Sequence, residues 1–455
     1  MWLTHLKQSH FIHQGIGFLS LLAWLSLGIE LNVLLGPEGI YPIEVTMRLV
    51  SETHGFGTFP THFWWDTKGH SLWLGVWIGV LTCVMAMANC FSRPALVING
   101  FLYLSYCTVG RDFFSFQWDS LMVELCSIAA LIPAHQTSHR SRWLPRLLLF
   151  KIMFFSGIAK WQSHLGDWQD GTAMTYYYET APIPTWVGWM AHHLPTWWHH
   201  FESWWALFFE LAVPFLLFGP LKVRWVAGAI FALFFVVDVA TANYGFFVPQ
   251  AAFLTLLCCI EPKVNDNTLK WSAVQNGLTI GGFVFISTAI GLNRFTESRI
   301  MTTITEPAQR YHLVNAYHLF GHITRERIEP VFAILQNGEW TELEFRAKPG
   351  NPMRAPRFLT PVQPRVDFRL WFYGLSYQRG SPPYVERLLE RICNAPEAIQ
   401  GLFETKVHTP EAVELRFYEY RYCSPTEKAQ SGCWWSRKLQ SQSDSINCQI
   451  FEATH

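Results

Sequence analysis

The chain has 455 residues and a formal net charge of +0, and half of its residues are hydrophobic whereas only 15% are charged. This composition is too apolar for an ordinary soluble enzyme of this size, and the lack of a basic patch argues against a nucleic-acid-binding protein. Because the apolar residues are concentrated before about position 293, we predict a membrane region followed by a soluble region.

Segments long enough and apolar enough for membrane helices recur along the first part of the chain. A bilayer core requires roughly 20 apolar residues in a helix. We therefore predict an α-helical polytopic membrane domain over residues 1–292 with about nine transmembrane helices, of which the third and fourth are short. The first segment reaches full membrane length, which favours a retained helix over a cleaved signal peptide. The predicted crossings are residues 11–35, 71–91, 95–109, 119–134, 145–161, 203–218, 224–240, 247–261 and 271–292.

The cations in the connecting loops predict the orientation of these helices. Cytoplasmic loops of membrane proteins carry an excess of Lys and Arg. An odd number of crossings from a cytoplasmic amino terminus places the soluble region on the non-cytoplasmic side, whereas an even number would reverse it. The inner loops then hold Lys7, Arg93, Arg140, Arg142, Arg146, Lys222, Arg224, Lys263 and Lys270, and the longer outer loops hold only Arg48, Lys68 and Arg111.

One long connection, residues 162–203, contains nine aromatic rings, five histidines and four carboxylates but no Lys or Arg. Trp and Tyr at this density are typical of the lipid headgroup layer. We predict that this segment, called the cap below, covers the outer face of the membrane domain. Its adjacent histidine pairs, His192-His193 and His199-His200, lack the i, i+4 spacing of a metal-binding helix, so we predict no metal site.

Ionisable side chains within the apolar segments are the main candidates for a functional site, since burying a charge in a membrane is costly. Two interpretations stay open: a polar cavity that opens outward beneath the cap, or ion pairs that only hold helices together. Lys151 and Lys160 are nine residues apart, which places them on opposite faces of one helix. The candidate catalytic residues, should the protein be an enzyme, are Asp119, Glu124, Lys151, Lys160, Glu210 and Asp238.

The soluble region is predicted as a β-rich α+β domain over residues 293–424. Residues 330–335 and 340–345 flank an Asn337-Gly338 turn that is typical of a hairpin. Alternating apolar residues predict further strands at 366–372 and 413–417, and the helical spacing of Leu388, Leu389 and Ile392 predicts a helix over 383–393. The polar residues 425–455 are predicted to form a loosely ordered tail.

The cysteines divide into two groups. Six lie in apolar segments and are expected to be buried small hydrophobic residues, whereas four lie in the soluble region, where pairing is possible in an oxidising compartment. Of these four, we predict a disulfide between Cys423 and Cys433. The chain lacks a Gly-rich phosphate loop, a Gly-x-Ser-x-Gly motif and a Cys-x-x-Cys pair, so no cofactor is assigned.

Several strings in the chain resemble those of one membrane protein family. The strings are Phe116-Gln-Trp-Asp119, Leu149-Phe-Lys151, Gly166-Asp167-Trp168, Tyr178-Glu179-Thr180-x-Pro182-x-Pro184, His192-His193-Leu-Pro195, Glu210-Leu-x-Val-Pro214, Asn243-Tyr244-Gly245, Leu313-Val-Asn315-x-Tyr317, Pro364-Arg365-x-Asp367 and Tyr418-x-Tyr420-x-Tyr422. Together they resemble the lipase maturation factor family over about residues 101–439, and the compact chain is similar to its bacterial members.

This resemblance implies a polytopic membrane protein that assists the folding and maturation of secreted proteins such as lipases. Its expected partners are membrane lipids and lipase-like clients, and its expected location is a bacterial inner membrane, or the endoplasmic reticulum membrane of a eukaryote. The resemblance also singles out candidate binding residues in the cap and in the loop before residue 247. They are Asp167, Trp168, Tyr178, Glu179, His192, His193, Asn243 and Tyr244.

Two other functions remain as alternatives. The membrane part distantly resembles the transmembrane module of vitamin K-dependent carboxylases, which raises the possibility of a membrane enzyme acting on a lipid or quinone. A transporter ranks last, because no inverted repeat or paired broken helices are evident. For a folding factor, the client would bind strand edges or the row of Tyr418, Tyr420 and Tyr422, unless those tyrosines simply pack one face of a sheet.

Overall fold

A computed structural model describes residues 8–134, 138–261 and 270–452. The first part of the chain is helical. Its helices are α1 (Gln8–Leu35), α2 (Ile43–Ser51), α3 (Gly69–Met87), α4 (Ser92–Gly110), α5 (Gln117–Leu131), α6 (His139–Trp161), α7 (Ala173–Thr180), α8 (Trp186–His192), α9 (Thr196–Leu211), α10 (Leu221–Thr241), α11 (Phe247–Cys258), α12 (Lys270–Thr296) and α13 (Arg299–Arg310).

Each of the nine predicted crossings coincides with one of these helices, but the helices differ in their fitness to span a membrane. Among the described residues, five helical segments are long and apolar enough to do so: His10–Leu35, Gly69–Met87, Thr196–Phe218, Leu221–Thr241 and Ala273–Thr296. The third of these is α9 extended by a short 3-10 helix, Val213–Phe218. The helices α5 and α11 are short, at 15 and 12 residues, and α6 begins with three arginines. The number nine is therefore not confirmed.

The helical core is centred on α1. Trp24 is fully buried and meets the rings of Tyr103 and Tyr106 edge-on, each at a centroid distance of 5.3 Å. Gly79 in α3 lies directly against Trp24, because a Cβ atom at that position would be 2.3 Å from the indole ring. The absence of a side chain thus allows α3 to approach α1 closely.

The second part of the chain combines helices with one sheet. The strands are β1 (Arg327–Gln336), β2 (Glu339–Glu342), β3 (Ala412–Tyr422), β4 (Trp435–Gln442) and β5 (Ile446–Asn447), and the helices are α14 (Arg365–Gly374), α15 (Pro383–Asn394), α16 (Pro396–Ile399), α17 (Pro425–Ser431) and α18 (Gln449–Glu452). The strand order is β2-β1-β3-β4, all neighbours are antiparallel, and β5 pairs with the end of β3.

Most of the predicted elements of this region are confirmed. The predicted hairpin turns at Asn337 and Gly338, which both have positive φ. The strand predicted at 413–417 lies within β3, and the helix predicted at 383–393 is α15. The predicted disulfide between Cys423 and Cys433 is present, and a second one joins Cys393 to Cys448.

Two predictions for this region need correction. Residues 366–372 are not a strand but lie in α14, because Val366, Leu370 and Tyr373 are buried at helical spacing. Asp367, in the first turn, ties this helix to another segment by accepting the backbone N–H groups of Ala347 and Lys348. The segment after residue 424 also differs from the expected loose tail. It contains α17 and the strand β4, which pairs with β3 along most of its length.

Candidate functional site: buried ion pairs and an aromatic cavity

The first buried charge cluster joins the helical region to the soluble region. Asp119, near the start of α5, accepts two hydrogen bonds from the Arg365 guanidinium, at 2.7 and 2.8 Å, and a third from the Tyr103 hydroxyl at 2.6 Å. Arg365 and Asp119 are both inaccessible to solvent. A bidentate arginine pair with a further donor satisfies the carboxylate, so Asp119 has a structural role in this geometry.

The second cluster surrounds Glu124. One of its carboxylate oxygens accepts a hydrogen bond from Lys151 in α6. The other accepts the Tyr317 hydroxyl at 2.6 Å and the Asn315 side-chain amide at 2.9 Å, both from the segment that follows α13. Lys151 also lies over the ring of Tyr317, at 5.2 Å. This acid is again fully occupied by partners from another part of the chain.

The third cluster lines an open space. Lys160 at the end of α6 contacts Glu210 in α9 at 2.7 Å and donates a hydrogen bond to the Leu319 carbonyl at 2.8 Å. Gly157 permits this contact, since a Cβ atom there would be 2.9 Å from the Cβ of Glu210. Asp238 in α10 is half-buried and interacts with Lys160 and with the Tyr177 hydroxyl. As the sequence predicts, Lys151 and Lys160 serve separate clusters.

A cavity of about 1040 Å³ contains the third cluster. Its wall is formed mainly by aromatic and aliphatic side chains from α5, α9, α10, the cap and α14. The Tyr177 and Tyr244 hydroxyls, 2.6 Å apart, lie in this wall beside Asp238. Of the six candidate catalytic residues, the cavity therefore contains Lys160, Glu210 and Asp238, whereas Asp119, Glu124 and Lys151 belong to the other clusters.

The eight candidate binding residues also divide by their positions. Trp168, Tyr178 and Tyr244 line the cavity. Asp167 is buried below it, where it accepts the Ser163 hydroxyl at 2.6 Å and the Ile323 backbone N–H at 3.0 Å.

Asn243 holds two loops together rather than facing the cavity. Its side-chain oxygen accepts the Leu359 backbone N–H at 2.6 Å, and its amide nitrogen donates to the carbonyls of Ile183 and Arg357. The side chain thus joins the cap to the segment before α14.

The cap residues Glu179, His192 and His193 contact the sheet. The Glu179 carboxylate accepts the Tyr422 backbone N–H at 2.6 Å, and the ring of His192 lies 5.3 Å from that of Tyr422. Burial lowers the pKa of His192, an effect that the nearby Glu179 carboxylate opposes. The Nδ1 of His193 donates a hydrogen bond to the Trp189 carbonyl at 2.8 Å. These side chains hold the cap against β3.

The tyrosine row of β3 is also committed to packing. The hydroxyls of Tyr418, Tyr420 and Tyr422 donate to Glu342, to the Gly350 carbonyl and to the Tyr178 carbonyl, respectively. The latter two side chains are buried.

Sequence reasoning missed two buried cations of the soluble region: Arg365, which completes the Asp119 cluster, and Arg327, which contacts the cap. Arg365 and Arg327 are fully buried, and Arg327 pairs with Glu329 while donating to the Glu179 carbonyl at 2.7 Å. An acid in an apolar helix predicts that a buried partner exists. Because Arg365 is 246 residues from Asp119, no local sequence pattern identifies Arg365 as that partner. Within the described ranges, no group of three or more His, Cys, Asp or Glu residues could hold a metal ion.

Comparison with known proteins identifies the family. The model of the lipase maturation factor transmembrane domain matches residues 7–271, and that of the lipase maturation factor C-terminal domain matches residues 313–445. The chain belongs to the lipase maturation factor family. Both parts of the molecule, and hence both sides of the Asp119–Arg365 contact, lie within the matched regions.

Full-length relatives in the lipase maturation factor family support this assignment. The chain is 27% identical to human lipase maturation factor 2, with 93% of this chain and 80% of the relative covered, and 28% identical to bovine lipase maturation factor 1, with 96% and 87% covered. Human lipase maturation factor 1 is 26% identical, over 96% of this chain and 86% of its own length. No solved structure matches the chain. Neither these relatives nor the geometry of the charge clusters supports the enzyme alternative.

Proposed function

We propose that this chain is an integral membrane maturation factor that assists the folding of secreted, lipase-like proteins. The observation that carries the proposal is the match of both parts of the chain to lipase maturation factor domains. The buried clusters agree with it, since Asp119 and Glu124 are occupied by structural partners rather than exposed for chemistry.

The proposed topology has nine crossings, with the soluble region on the non-cytoplasmic side of a bacterial inner membrane or of the endoplasmic reticulum. The distribution of loop cations supports this orientation. The two disulfides also support it, because both lie in the soluble region and disulfides persist in oxidising compartments. In this arrangement residues 1–292 form the membrane domain, residues 162–203 its outer cap and residues 293–424 the core of the soluble domain.

The proposed client-binding surface is the outer edge of β4. Within the part of the chain that the structure describes, β4 forms strand pairs only with β3. The backbone N–H of Trp435 donates to the Pro352 carbonyl, so the edge that is available to an incoming strand is the one beyond Trp435. Leu439 in this strand is 46% exposed and gives the edge an apolar contact. An unfolded client can add a strand to such an edge through backbone hydrogen bonds. The tyrosine row is not proposed for this role, because its hydroxyls already have partners.

Co-expression with a secreted lipase tests this function. We expect the full chain to raise the yield of active secreted lipase, and Leu439→Asp to reduce that gain, because a charge on the strand edge disfavours strand addition. Ile450→Asp is the matched control, since Ile450 is exposed on α18 and away from the edge.

The measurement is lipase activity per amount of lipase protein in the secreted fraction, with the membrane level of each variant determined in parallel. An unchanged yield with and without the wild-type chain would contradict the proposed function. Equal losses for Leu439→Asp and Ile450→Asp would contradict the proposed edge alone.

A further inference from the structure

The cavity has a polar rim at one end. Gln162 and His164 follow the end of α6, Arg294 lies in the last turn of α12, and His318 and His322 follow α13. All five side chains are exposed and line the cavity. The rings of His164 and His322 are 4.2 Å apart, so the rim is a cluster of nitrogen-bearing groups.

The opposite wall of the cavity is apolar and belongs to helices at the periphery of the bundle. Only 39% of the apolar window of α9 and 28% of that of α10 is buried within the protein. Phe201, Trp205, Leu233 and Val237, from these two helices, line the cavity and are nevertheless 41% to 60% exposed. The cavity therefore communicates with the surface that faces the hydrocarbon of the bilayer.

Most of the polar groups that lack a hydrogen-bond partner inside the cavity are hydrogen-bond donors; the exception is the acceptor Glu210 Oε2, which lies 2.7 Å from the Lys160 ammonium group. The indole N–H groups of Trp118 and Trp198 and the hydroxyl of Thr324 are buried without a hydrogen-bond partner, and Trp118 is only 4% exposed. Buried donors without partners are costly, so they indicate an acceptor that fills the space.

The charges in the cavity lead to the same conclusion. Its carboxylates already have donors: Glu210 has Lys160, Glu202 has the Tyr178 hydroxyl, and Asp238 interacts with the Tyr177 hydroxyl. Arg294, in contrast, has no carboxylate within 4.0 Å among the described residues. Although His318 is exposed at the rim, partial desolvation by the surrounding cavity wall lowers its pKa, and the positive charge of Arg294 lowers it further.

We propose that this cavity is a binding site for one membrane lipid with an anionic, acceptor-rich head group. The head group, a phosphate or a carboxylate, lies at the rim near Arg294, and the acyl chain lies between α9 and α10. A volume of about 1040 Å³ is at the upper end of the range for small-molecule sites, which suits a single amphiphile. This inference goes beyond the maturation role and does not depend on any client.

Photolabelling of the purified full-length protein tests the site. The protein is reconstituted in phosphatidylcholine vesicles with one of three diazirine probes: phosphatidylglycerol, oleate or phosphatidylcholine. Labelled residues are mapped by mass spectrometry. We expect saturable labelling of α9 and α10 by an anionic probe, and unlabelled lipid of the same kind should compete with it. Stronger labelling by phosphatidylglycerol assigns the head group to a phospholipid, and stronger labelling by oleate assigns it to a free fatty acid.

Two pairs of variants separate this site from general lipid contact. Val237→Trp fills the cavity and should abolish the saturable labelling, whereas Val236→Trp places the same bulk on the neighbouring exposed position and should not. Arg294→Gln should weaken labelling by the anionic probe about tenfold, as expected for the loss of a hydrogen bond to a charged group. Arg299→Gln, at the start of α13, is the control for charge.

The outcomes are decisive in both directions. The proposal is overturned if the labelling is not saturable, or if Val236→Trp and Val237→Trp reduce it equally. It is also overturned if the phosphatidylcholine probe labels the protein as strongly as both anionic probes and its labelling is unchanged by Arg294→Gln. Size-exclusion profiles of all four variants show whether each has assembled, and Arg294→Gln provides the test should Val237→Trp not assemble.

Discussion

At the scale of single residues, three buried acids of the helical region each pair with a cation. Asp119 has Arg365, Glu124 has Lys151 and Tyr317, and Lys160 has Glu210. A buried ion pair adds little net stability, but removal of one partner leaves an uncompensated charge and costs about 3–5 kcal/mol. Two of these three clusters also require side chains from beyond α13, so the soluble region takes part in the core of the membrane region.

The Asp119–Arg365 pair provides a residue-scale prediction. Arg365→Met should lower the thermal stability of the detergent-solubilised protein strongly, because Asp119 would remain buried without a cation. Replacing both partners, in Asp119→Leu with Arg365→Met, should restore part of the loss, since no lone charge would then be buried. Size-exclusion chromatography after heating measures the temperature at which half of the protein is lost.

Arg379→Met is the control for this experiment, because Arg379 is exposed in the same region of the chain. If the double variant loses as much thermal stability as Arg365→Met, the cost of Arg365→Met does not come from leaving the Asp119 charge unpaired.

At the scale of elements, local sequence patterns predict where a helix or strand lies along the chain better than they predict which segments it contacts. Each of the nine predicted apolar segments falls on a helix, because an apolar run is evident without knowledge of its neighbours, but only five of the described helical segments are long and apolar enough to span a membrane. The alternation of Val366, Phe368 and Leu370 wrongly predicts a strand. Because α14 is buried on most sides, its apolar residues are not confined to helical spacing, and the same positions would be buried in a strand as well.

The candidate site shows the same limit. The charged residues of the helices are predicted from their cost in a membrane, but the cavity around Lys160, Glu210 and Asp238 depends on walls from separate segments. Glu179 is chosen by its motif, whereas its contact with Tyr422, 243 residues away, has no counterpart in local sequence.

This contact between the cap and β3 provides the prediction for elements. Glu179→Ala should accelerate amide exchange of β3 near Tyr422, because the Tyr422 N–H loses its acceptor and the Arg421 guanidinium loses one of its acceptors. Hydrogen–deuterium exchange of peptides that cover residues 418–424 measures the effect.

Glu397→Ala, at an exposed position of α16, should leave that exchange unchanged. Unaltered exchange in Glu179→Ala would mean that the cap does not protect the end of β3.

At the scale of the whole molecule, the two regions are not independent modules. Gln363 and Arg365 donate their backbone N–H groups to Ser26 and Glu30 of α1, at 2.9 and 2.8 Å. The soluble region therefore lies against the end of the first helix, and in the proposed topology the elements that meet there share one side of the membrane. The proposed topology assigns this side to the non-cytoplasmic compartment.

Thiol labelling tests that assignment in a Cys90→Ser background, which removes the exposed free cysteine of the described residues. A membrane-impermeant maleimide applied from the non-cytoplasmic side should label Glu339→Cys in the hairpin but not Lys222→Cys at the start of α10. The reason is that the predicted number of crossings between these sites is odd. Labelling of Glu339→Cys from the cytoplasmic side alone would overturn the orientation.

The pairing of Asp119 with Arg365 also has a consequence for biosynthesis. The ribosome adds about 5–20 residues per second, so a separation of 246 residues corresponds to a delay of roughly 10–50 s between the acid and its cation. During that interval the Asp119 carboxylate lacks the Arg365 guanidinium that pairs with it in the folded protein. We therefore expect this chain to need protection of its own nascent helices until the region that carries Arg365 has been made.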